Sequence, residues 1–283
     1  MPSMLAYDVH QHLWPEGLIA GLRARRERPR LREATLELVS GDWEIDLAAH
    51  TLEARLALLD RDELDVAVIS CAPTLELDEE LIEAYHEGIH ELVAESGGRL
   101  QALSCGTVRE GFVGACVAAD ELADLAELTQ LLSELERRGS VLFVHPGPAA
   151  APYGAPDWWP AVVGYTAQMQ AAYAAWLAQG TAAWPKLNVV FAILAGGAPF
   201  QLERLASRGV DSRGVLEANI YLDTASYGDR ALELSLASYG VGRLVYGSDV
   251  PVIEAQTTLR SVRGFGQAVA DAVCRDNPGR LFG

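Results

Sequence analysis

The stretch Val141-Leu142-Phe143-Val144-His145-Pro146-Gly147 is the clearest buried strand in the sequence, because it is apolar until it ends at a histidine and a turn. Parallel strands that are covered on both faces have such continuous apolar runs. Seven further strand candidates flank this run, and most are followed by a helical pattern. They cover residues 4–12, 66–71, 100–108, 112–118, 188–194, 219–223 and 243–249.

Eight strands that alternate with helices over 283 residues predict an α/β protein with one parallel (β/α)8 barrel, a TIM barrel, as a single domain over residues 1–283. A doubly wound open sheet is the alternative, but its first strand should lead into a glycine-rich turn, which this chain lacks. Residues 148–180 are predicted as an aromatic-rich loop and helix inserted after strand five. Trp158 and Trp159 in that loop are candidates for a substrate pocket, with packing over the barrel rim as the alternative.

The first strand ends in the motif Asp8-Val9-His10-Gln11-His12. Residues two apart share a face of a strand, so these three polar side chains point the same way and two imidazoles could bind one cation. Histidines with a carboxylate suit zinc, iron, manganese or cobalt. A second histidine pair, His86 and His90, lies four residues apart on an acidic helical stretch. Without further ligands nearby, that pair is interpreted as exposed and not as a metal site.

Composition limits the classes of partner. The net charge is −17 and the isoelectric point is about 4.7, which argues against binding to nucleic acid or to an anionic membrane surface. The sequence shows no signal-peptide pattern and no long apolar run that would span a membrane, so a cytoplasmic protein is expected. The four cysteines lie far apart without a Cys-x-x-Cys spacing, and we interpret them as buried free thiols.

Catalytic groups of such barrels lie at the carboxyl ends of the strands. The polar residues there are Asp8, His10, His12, Arg109, Glu110, His145, Asp223 and Asp249. Three histidines and an aspartate around one mouth favour a single metal site. Asp223 and Glu110 could hold a second cation, with a hydrogen bond to the rim as the alternative for each. Arg109 could bind a substrate carboxylate by a bidentate pair.

The sequence resembles the amidohydrolase superfamily, in the amidohydrolase-related branch that contains aminocarboxymuconate-semialdehyde decarboxylase and resorcylate-type decarboxylases. The stretches that carry the resemblance are the first-strand motif, Phe143-Val144-His145-Pro146-Gly147, Gly247-Ser248-Asp249-Val250-Pro251 and Asp276-Asn277-Pro278-Gly279-Arg280-Leu281-Phe282. They are in the family's order and span the chain. The resemblance implies a metal held by His10, His12, His145 and Asp249, with Asp8 as an extra ligand and Asp249 as the general base.

The chain departs from the family's His-x-Gly-Gly motif at the end of strand six, where it has Leu194-Ala195-Gly196-Gly197 and Ala195 is taken to replace the histidine. In the relatives decarboxylation depends on that histidine, whereas attack by a metal-activated water needs only the metal and one base. The expected function is therefore a metal-dependent hydrolase of an ester, thioester, lactone or amide of a small organic acid. The alternatives are a non-oxidative decarboxylase of an aromatic or muconate-like acid, and a catalytically silent barrel that binds a ligand.

The expected cofactor is a divalent transition metal. Zinc is favoured, with iron and manganese as alternatives, and one ion is expected although the carboxylates leave room for two. The expected partner is a small-molecule substrate, and the prevalence of twofold oligomers suggests a homodimer.

Overall fold

Eight parallel strands form the barrel in the computed structural model, which describes residues 4–254 and 256–283. In chain order the strands are β1 (Tyr7–Gln11), β2 (Arg30–Arg32), β3 (Thr35–Glu37), β4 (Asp42–Glu44), β5 (Val66–Ile69), β6 (Leu100–Cys105), β7 (Gly114–Ala118), β8 (Val141–His145), β9 (Asn188–Phe191), β10 (Ile220–Asp223) and β11 (Leu244–Val245). Strands β1 and β5 to β11 follow one another around the barrel, and each pair is parallel.

Backbone hydrogen bonds also join β1 to the segment that follows β11, and these bonds close the barrel. The nitrogen of Val9 donates to the carbonyl oxygen of Tyr246 (2.8 Å), and the nitrogen of Asp249 donates to that of His10 (2.8 Å). The nitrogen of His12 donates to the carbonyl oxygen of Val250 (2.7 Å). The (β/α)8 barrel predicted from the sequence is confirmed.

Helices lie between the strands and cover the barrel. They are α1 (Glu16–Ala24), α2 (Leu52–Arg61), α3 (Glu79–Glu95), α4 (Thr129–Arg138), α5 (Tyr165–Ala175), α6 (Thr181–Ala183), α7 (Ala198–Ser207), α8 (Ser212–Glu217), α9 (Asp229–Tyr239), α10 (Gln256–Gly264), α11 (Gln267–Asp271) and α12 (Asn277–Phe282). Helix α3 shows why they form: Asp78 caps its first turn by accepting from the nitrogen of Leu81, and its apolar face, with Tyr85 and Ile89, is buried. Among the described residues, no helix is long and apolar enough to cross a membrane.

The segment after β1 differs from the irregular stretch that its polar sequence suggests. It forms α1 and a small antiparallel sheet of β2, β3 and β4. Arginines of this segment bind locally: Arg30 pairs with Glu37 across the small sheet (2.6 Å), and Arg28 pairs with Asp42 (2.9 Å). The guanidinium groups of Arg28 and Arg30 are therefore engaged within the segment itself.

The segment after β8 is a loop followed by a helix, as the sequence predicts, but it becomes helical at Pro160, earlier than the start near Thr166 that the sequence suggests. The interpretation of His86 and His90 on α3 as an exposed pair is right for one residue and wrong for the other. His90 is exposed, but His86 is buried, because it packs beneath the loop that follows β6.

Candidate metal centre

Four side chains meet at the carboxyl ends of the barrel strands. One ligand atom from each of His10, His12, His145 and Asp249 lies within 4.8 Å of every other. The Nε2 atoms of His10 and His12 are 3.3 Å apart, and Oδ1 of Asp249 is 3.0 Å from the second of them. His10 lies on β1 and His12 directly follows it, His145 ends β8, and Asp249 lies in the turn after β11.

The hydrogen bonds behind the three histidines fix which nitrogen faces the cluster. His10 donates from Nδ1 to the Asp223 carboxylate (2.7 Å), and His12 from Nδ1 to the carbonyl oxygen of Ser70 (2.9 Å). His145 likewise donates from Nδ1 to the carbonyl oxygen of Pro146 (2.9 Å). A neutral imidazole with Nδ1 protonated carries a lone pair on Nε2.

When all three imidazoles are neutral, three lone pairs and a carboxylate oxygen thus converge with no donor hydrogen between them. Such a group of acceptors is stable only around a cation, and imidazole with carboxylate is the donor set of first-row divalent metals. The residues fit a metal for that reason. The carboxylate–histidine contact behind His10 is also the arrangement that orients metal-binding imidazoles in proteins.

When no metal is bound, the electrostatics of the cluster favour a proton on His10 in its place. Burial alone would lower the pKa of the His10 imidazole, but the carboxylates of Asp223 and Asp249 outweigh it and raise the pKa to about 9. Burial, with the neighbouring imidazoles, holds the pKa of His145 well below its ordinary value. Burial would raise the pKa of Asp249, yet the adjacent imidazoles outweigh burial and keep it lowered, so this carboxylate is ionised.

The other two carboxylates of this end of the barrel lie behind the ligands. Asp223 is fully buried, and its second oxygen accepts from the nitrogen of Ala225 (3.0 Å), so it supports His10 and does not reach the cluster. Asp8 accepts from the nitrogen of Ser248 (3.0 Å) and from the Gln11 amide (2.7 Å). The structure therefore places the Asp8 carboxylate outside the ligand group, where it ties β1 to the last turn.

The substrate-binding residues expected from the sequence are not brought to the cluster. Arg109 makes a bidentate pair with Glu83 on α3 (2.5 and 2.7 Å), and this pair occupies its guanidinium group. Glu110 is exposed in the loop after β6. Trp158 is exposed and Trp159 stacks beside it at the surface, outside the residues that line the cavity above the cluster.

That cavity has a volume of about 370 Å³ and lies directly above the four ligands. Its wall is mainly apolar, with hydroxyl groups as the polar additions. Besides the ligands, it is lined by Ala72, Thr74, Pro146, Ala161, Val162, Tyr165, Thr166, Ile193, Ser226, Tyr227, Val252 and Ile253. Within the described part of the chain, no lysine or arginine lines it. Most of these residues follow strands or sit on the inserted helix, where an apolar side chain gives no sequence signal of a pocket.

The loop after β9 contributes a different residue from the one that the sequence comparison suggests. Ala195 is fully buried, whereas Ile193 faces the cavity. Ile193, Leu194 and Ala195 all have left-handed backbone angles, with φ of 45°, 51° and 52°. Left-handed residues other than glycine are costly, most of all β-branched ones, and they cluster at functional sites. Two more lie on the cavity wall, Ser226 (φ 70°) and Asp249 (φ 63°).

A parallel barrel with a cluster of potential metal ligands at the carboxyl ends of its strands is typical of metal-dependent barrel enzymes. The model of the Amidohydrolase family matches residues 107–283, which is more than half of the chain. The chain belongs to the amidohydrolase family, as its motifs indicate. No curated protein matches it.

Solved structures with the same fold cover nearly the whole chain. The apo IDCase of Metarhizium anisopliae is 20% identical, with a TM-score of 0.80 and coverage of 98% of this chain and 97% of its own. The 5-carboxyvanillate decarboxylase of Sphingomonas paucimobilis is 16% identical, with a TM-score of 0.76 and 99% of each chain covered. The dihydroxybenzoic acid decarboxylase of Polaromonas sp. JS666, with bound manganese and 2-nitroresorcinol, is 15% identical, with a TM-score of 0.68 and coverage of 99% and 97%.

These structures correct one expectation. The sequence analysis placed a hydrolase first because the strand-six histidine is missing, but the similar structures are mostly decarboxylases. The hydrolase interpretation is wrong, because it rested on the loss of one motif and not on any feature that selects water as the nucleophile.

Proposed function

We propose that this chain is a metal-dependent, non-oxidative decarboxylase of a small aromatic acid. The observation that carries the proposal is the cluster of three Nε2 lone pairs and the Asp249 carboxylate at the floor of a mainly apolar cavity. An apolar wall suits an aromatic ring, and the similarity to structures of aromatic-acid decarboxylases adds support.

The lack of basic side chains among the described residues of the cavity wall limits how many carboxylates the substrate can carry. With no lysine or arginine among the described lining residues, a second carboxylate on the substrate would be buried without a partner. This favours an aromatic acid with one carboxylate over a muconate-like diacid. The hydroxyl groups of Thr74, Thr166 and Tyr227 could bind neutral polar substituents of the ring.

His10, His12, His145 and Asp249 would hold the metal, and we propose a first-row divalent ion. When bound, the metal would act as a Lewis acid that anchors the substrate anion. Manganese deserves a test beside zinc, because the Polaromonas enzyme contains it. Asp8 is proposed as a structural carboxylate and Asp223 as the residue that orients His10.

Asp249 is the proposed acid–base group. Its side chain is 15% exposed, to the cavity, and its carboxylate is ionised at rest, so it can accept the proton of a substrate hydroxyl. It would then return that proton to the ring carbon that bears the carboxylate. A carbon–hydrogen bond forms there, the bond to the carboxylate breaks, its electron pair returns to the ring, and carbon dioxide leaves. Ile193 at the strand-six position cannot transfer a proton, so Asp249 carries both transfers.

The test is carbon dioxide release by metal-loaded protein from hydroxybenzoates with one carboxylate, beside matched compounds with a second carboxylate. Incorporation of deuterium at the vacated ring carbon in heavy water would identify the protonation step. Asp249→Asn should lower turnover by about 10²- to 10⁴-fold, since it removes the acid–base group. Asp157→Asn, in the exposed loop after β8, is the matched control.

If hydroxybenzoates bind to the loaded protein but none is decarboxylated, the proposal fails and a silent ligand-binding barrel is favoured. The homodimer and the small-molecule partner stay predictions, which sedimentation and ligand titration can check.

A further inference from the structure

The cavity above the metal cluster meets the solvent between apolar side chains. The three histidines at its floor are buried, and Tyr165, Ile193 and Ile253 in its wall are half-buried. Val162 and Val252 also line the cavity, but they are 58% and 68% exposed. These two valines therefore stand where the cavity opens, and we call the opening that they border the outlet.

Two segments carry the outlet. Val252 lies in the turn that contains Asp249, and its nitrogen donates to the carbonyl oxygen of Asp249 (2.9 Å). Val162 lies in the first helical turn after β8, and its nitrogen donates to the carbonyl oxygen of Trp158 (3.1 Å). A bond between residues four apart places Val162 and Trp158 on the same face of that turn. Because Trp158 is 56% exposed, an apolar surface continues from the outlet beyond the cavity.

Packing within the chain does not account for the two exposed valines. Valine is a weaker helix former than alanine, leucine or lysine, so Val162 does not strengthen the helical turn that carries it. A side chain that is more than half exposed also contributes little through burial. Single exposed valines are common in proteins, but these two border the cavity that holds the metal ligands. Apolar side chains at the opening of a binding cavity are suited to contact with an apolar part of the ligand.

The cavity is also larger than one aromatic ring requires. An apolar cavity of about 150 Å³ is enough to hold benzene. The cavity above the metal cluster has a volume of about 370 Å³. A ring that carries one carboxylate and one hydroxyl group would therefore leave part of it unfilled.

The proposed reaction determines which edge of the ring faces the outlet. The carboxylate is anchored at the metal, and the hydroxyl group beside it gives its proton to Asp249. Both groups therefore lie at the buried floor of the cavity. The opposite edge of the ring then faces the exposed valines.

We propose that the outlet is a subsite for an alkyl chain, carried by the aromatic acid on the ring edge opposite its carboxylate and hydroxyl group. The chain leaves the cavity between Val162 and Val252 and lies against Trp158. Its part within the cavity is uncharged, because no lysine or arginine among the described lining residues is there to pair with an anion. The inference rests on the proposed function for the orientation of the ring, whereas binding alone tests the subsite.

The experiment measures the binding of 2-hydroxybenzoates to the metal-loaded protein by titration calorimetry. The series carries hydrogen, methyl, propyl or pentyl at the position para to the carboxylate. Each added methylene should tighten binding about two- to threefold, or about 15- to 80-fold from methyl to pentyl, because an open outlet covers only part of the chain. The heat capacity change of binding should become more negative along the series. Isomers with the same chain beside the hydroxyl group are equally apolar but should show no such gain, because their chain points into the wall.

Val162→Asn and Val252→Asn test the outlet itself. Each should leave the affinity for unsubstituted 2-hydroxybenzoate within about twofold of the wild type. Each should reduce the gain from methyl to pentyl by at least about threefold. Trp158→Ala should weaken binding of the pentyl compound but not of the methyl compound. Val163→Asn is the matched control, because Val163 is an exposed valine of the same helical turn but is not among the residues that line the cavity.

The possible outcomes separate the subsite from the reaction. A series that does not bind, or that gains nothing from the chain, would overturn the subsite, and so would a full gain in both asparagine variants. A wild-type dimer that Val162→Asn dissociates on sedimentation would mean that a second copy of the chain covers the outlet, which would also overturn it. If the series binds with the expected gain but no member releases carbon dioxide, the subsite stands and the proposed function fails.

Discussion

Replacement of Asp223 by asparagine should weaken metal binding without touching a ligand. The Asp223 carboxylate is fully buried and accepts the Nδ1 proton of His10 at 2.7 Å. An asparagine can keep its oxygen towards the nitrogen of Ala225, which leaves its NH2 group facing His10. His10 would then have to accept at Nδ1 and carry its proton on Nε2, the atom that faces the metal.

The expected loss of metal affinity follows from two independent estimates. Loss of a partner behind a ligating histidine typically costs about 10- to 100-fold in metal affinity, which is roughly 1.4–2.7 kcal/mol. A hydrogen bond to a charged group is worth about 1.5–3 kcal/mol, in the same range. We therefore expect Asp223→Asn to bind manganese and zinc about 10- to 100-fold more weakly than the wild type.

The assay is competition with a chromophoric chelator, on protein shown by circular dichroism to be folded. The control is Asp65→Asn, which changes a half-exposed carboxylate that accepts from the nitrogen of Ala6 at the opposite end of β1. Wild-type affinity in a folded Asp223→Asn protein would refute the assignment of Asp223 as the partner that sets the tautomer of His10.

Three further outcomes are expected. Because the carboxylates of Asp223 and Asp249 raise the pKa of His10 to about 9, a proton competes with the metal below that pH. The metal affinity should therefore rise by up to about tenfold per pH unit towards pH 9 and then level off. Chelator competition across this range measures the affinity, and a flat profile would contradict the competition. Gly247→Ala should lower the free energy of unfolding in urea by about 1–3 kcal/mol and weaken metal binding. The new Cβ would lie 2.0 Å from Oδ1 of Asp223 and 2.6 Å from Cβ of His10. Gly242→Ala is the control, because its Cβ would have nothing within 4 Å, and it should change neither property. Metal at about 100 times its dissociation constant should stabilise the wild type by about 2.7 kcal/mol, and at that same concentration His145→Ala should lose most of the gain; equal stabilisation of both proteins would exclude His145 as a ligand.

The barrel and its ligand positions could be predicted because their signals are local. Apolar runs such as the one that ends at His145 report burial on both faces, and the carboxyl end of each run is where the barrel opens. The two-residue spacing of His10 and His12 needs only the geometry of a strand. No information from distant parts of the chain is required for either inference.

The other features depend on contacts between distant residues. Asp223 supports His10 across 213 residues of sequence, and a buried carboxylate gives no sign of which imidazole it will meet. Ile193 reaches the cavity because the turn after β9 is left-handed at three successive residues, a conformation that none of those residue types favours. The sheet of β2 to β4 has three-residue strands, too short for a clear alternating pattern.

Closure of the barrel and assembly of the metal centre are one structural event. The hydrogen bond from the nitrogen of Asp249 to the carbonyl of His10 joins the last turn to β1, and it also sets two ligands side by side. Gly247 lets that turn pass close to the Asp223–His10 pair, and Asp8 holds the nitrogen of Ser248 from the other side. A cation between the ligands therefore bridges the first and last strands of the barrel. It follows that metal binding should protect the backbone amides of Val9, His12 and Asp249 from hydrogen exchange more than those of the small sheet, which touches no ligand.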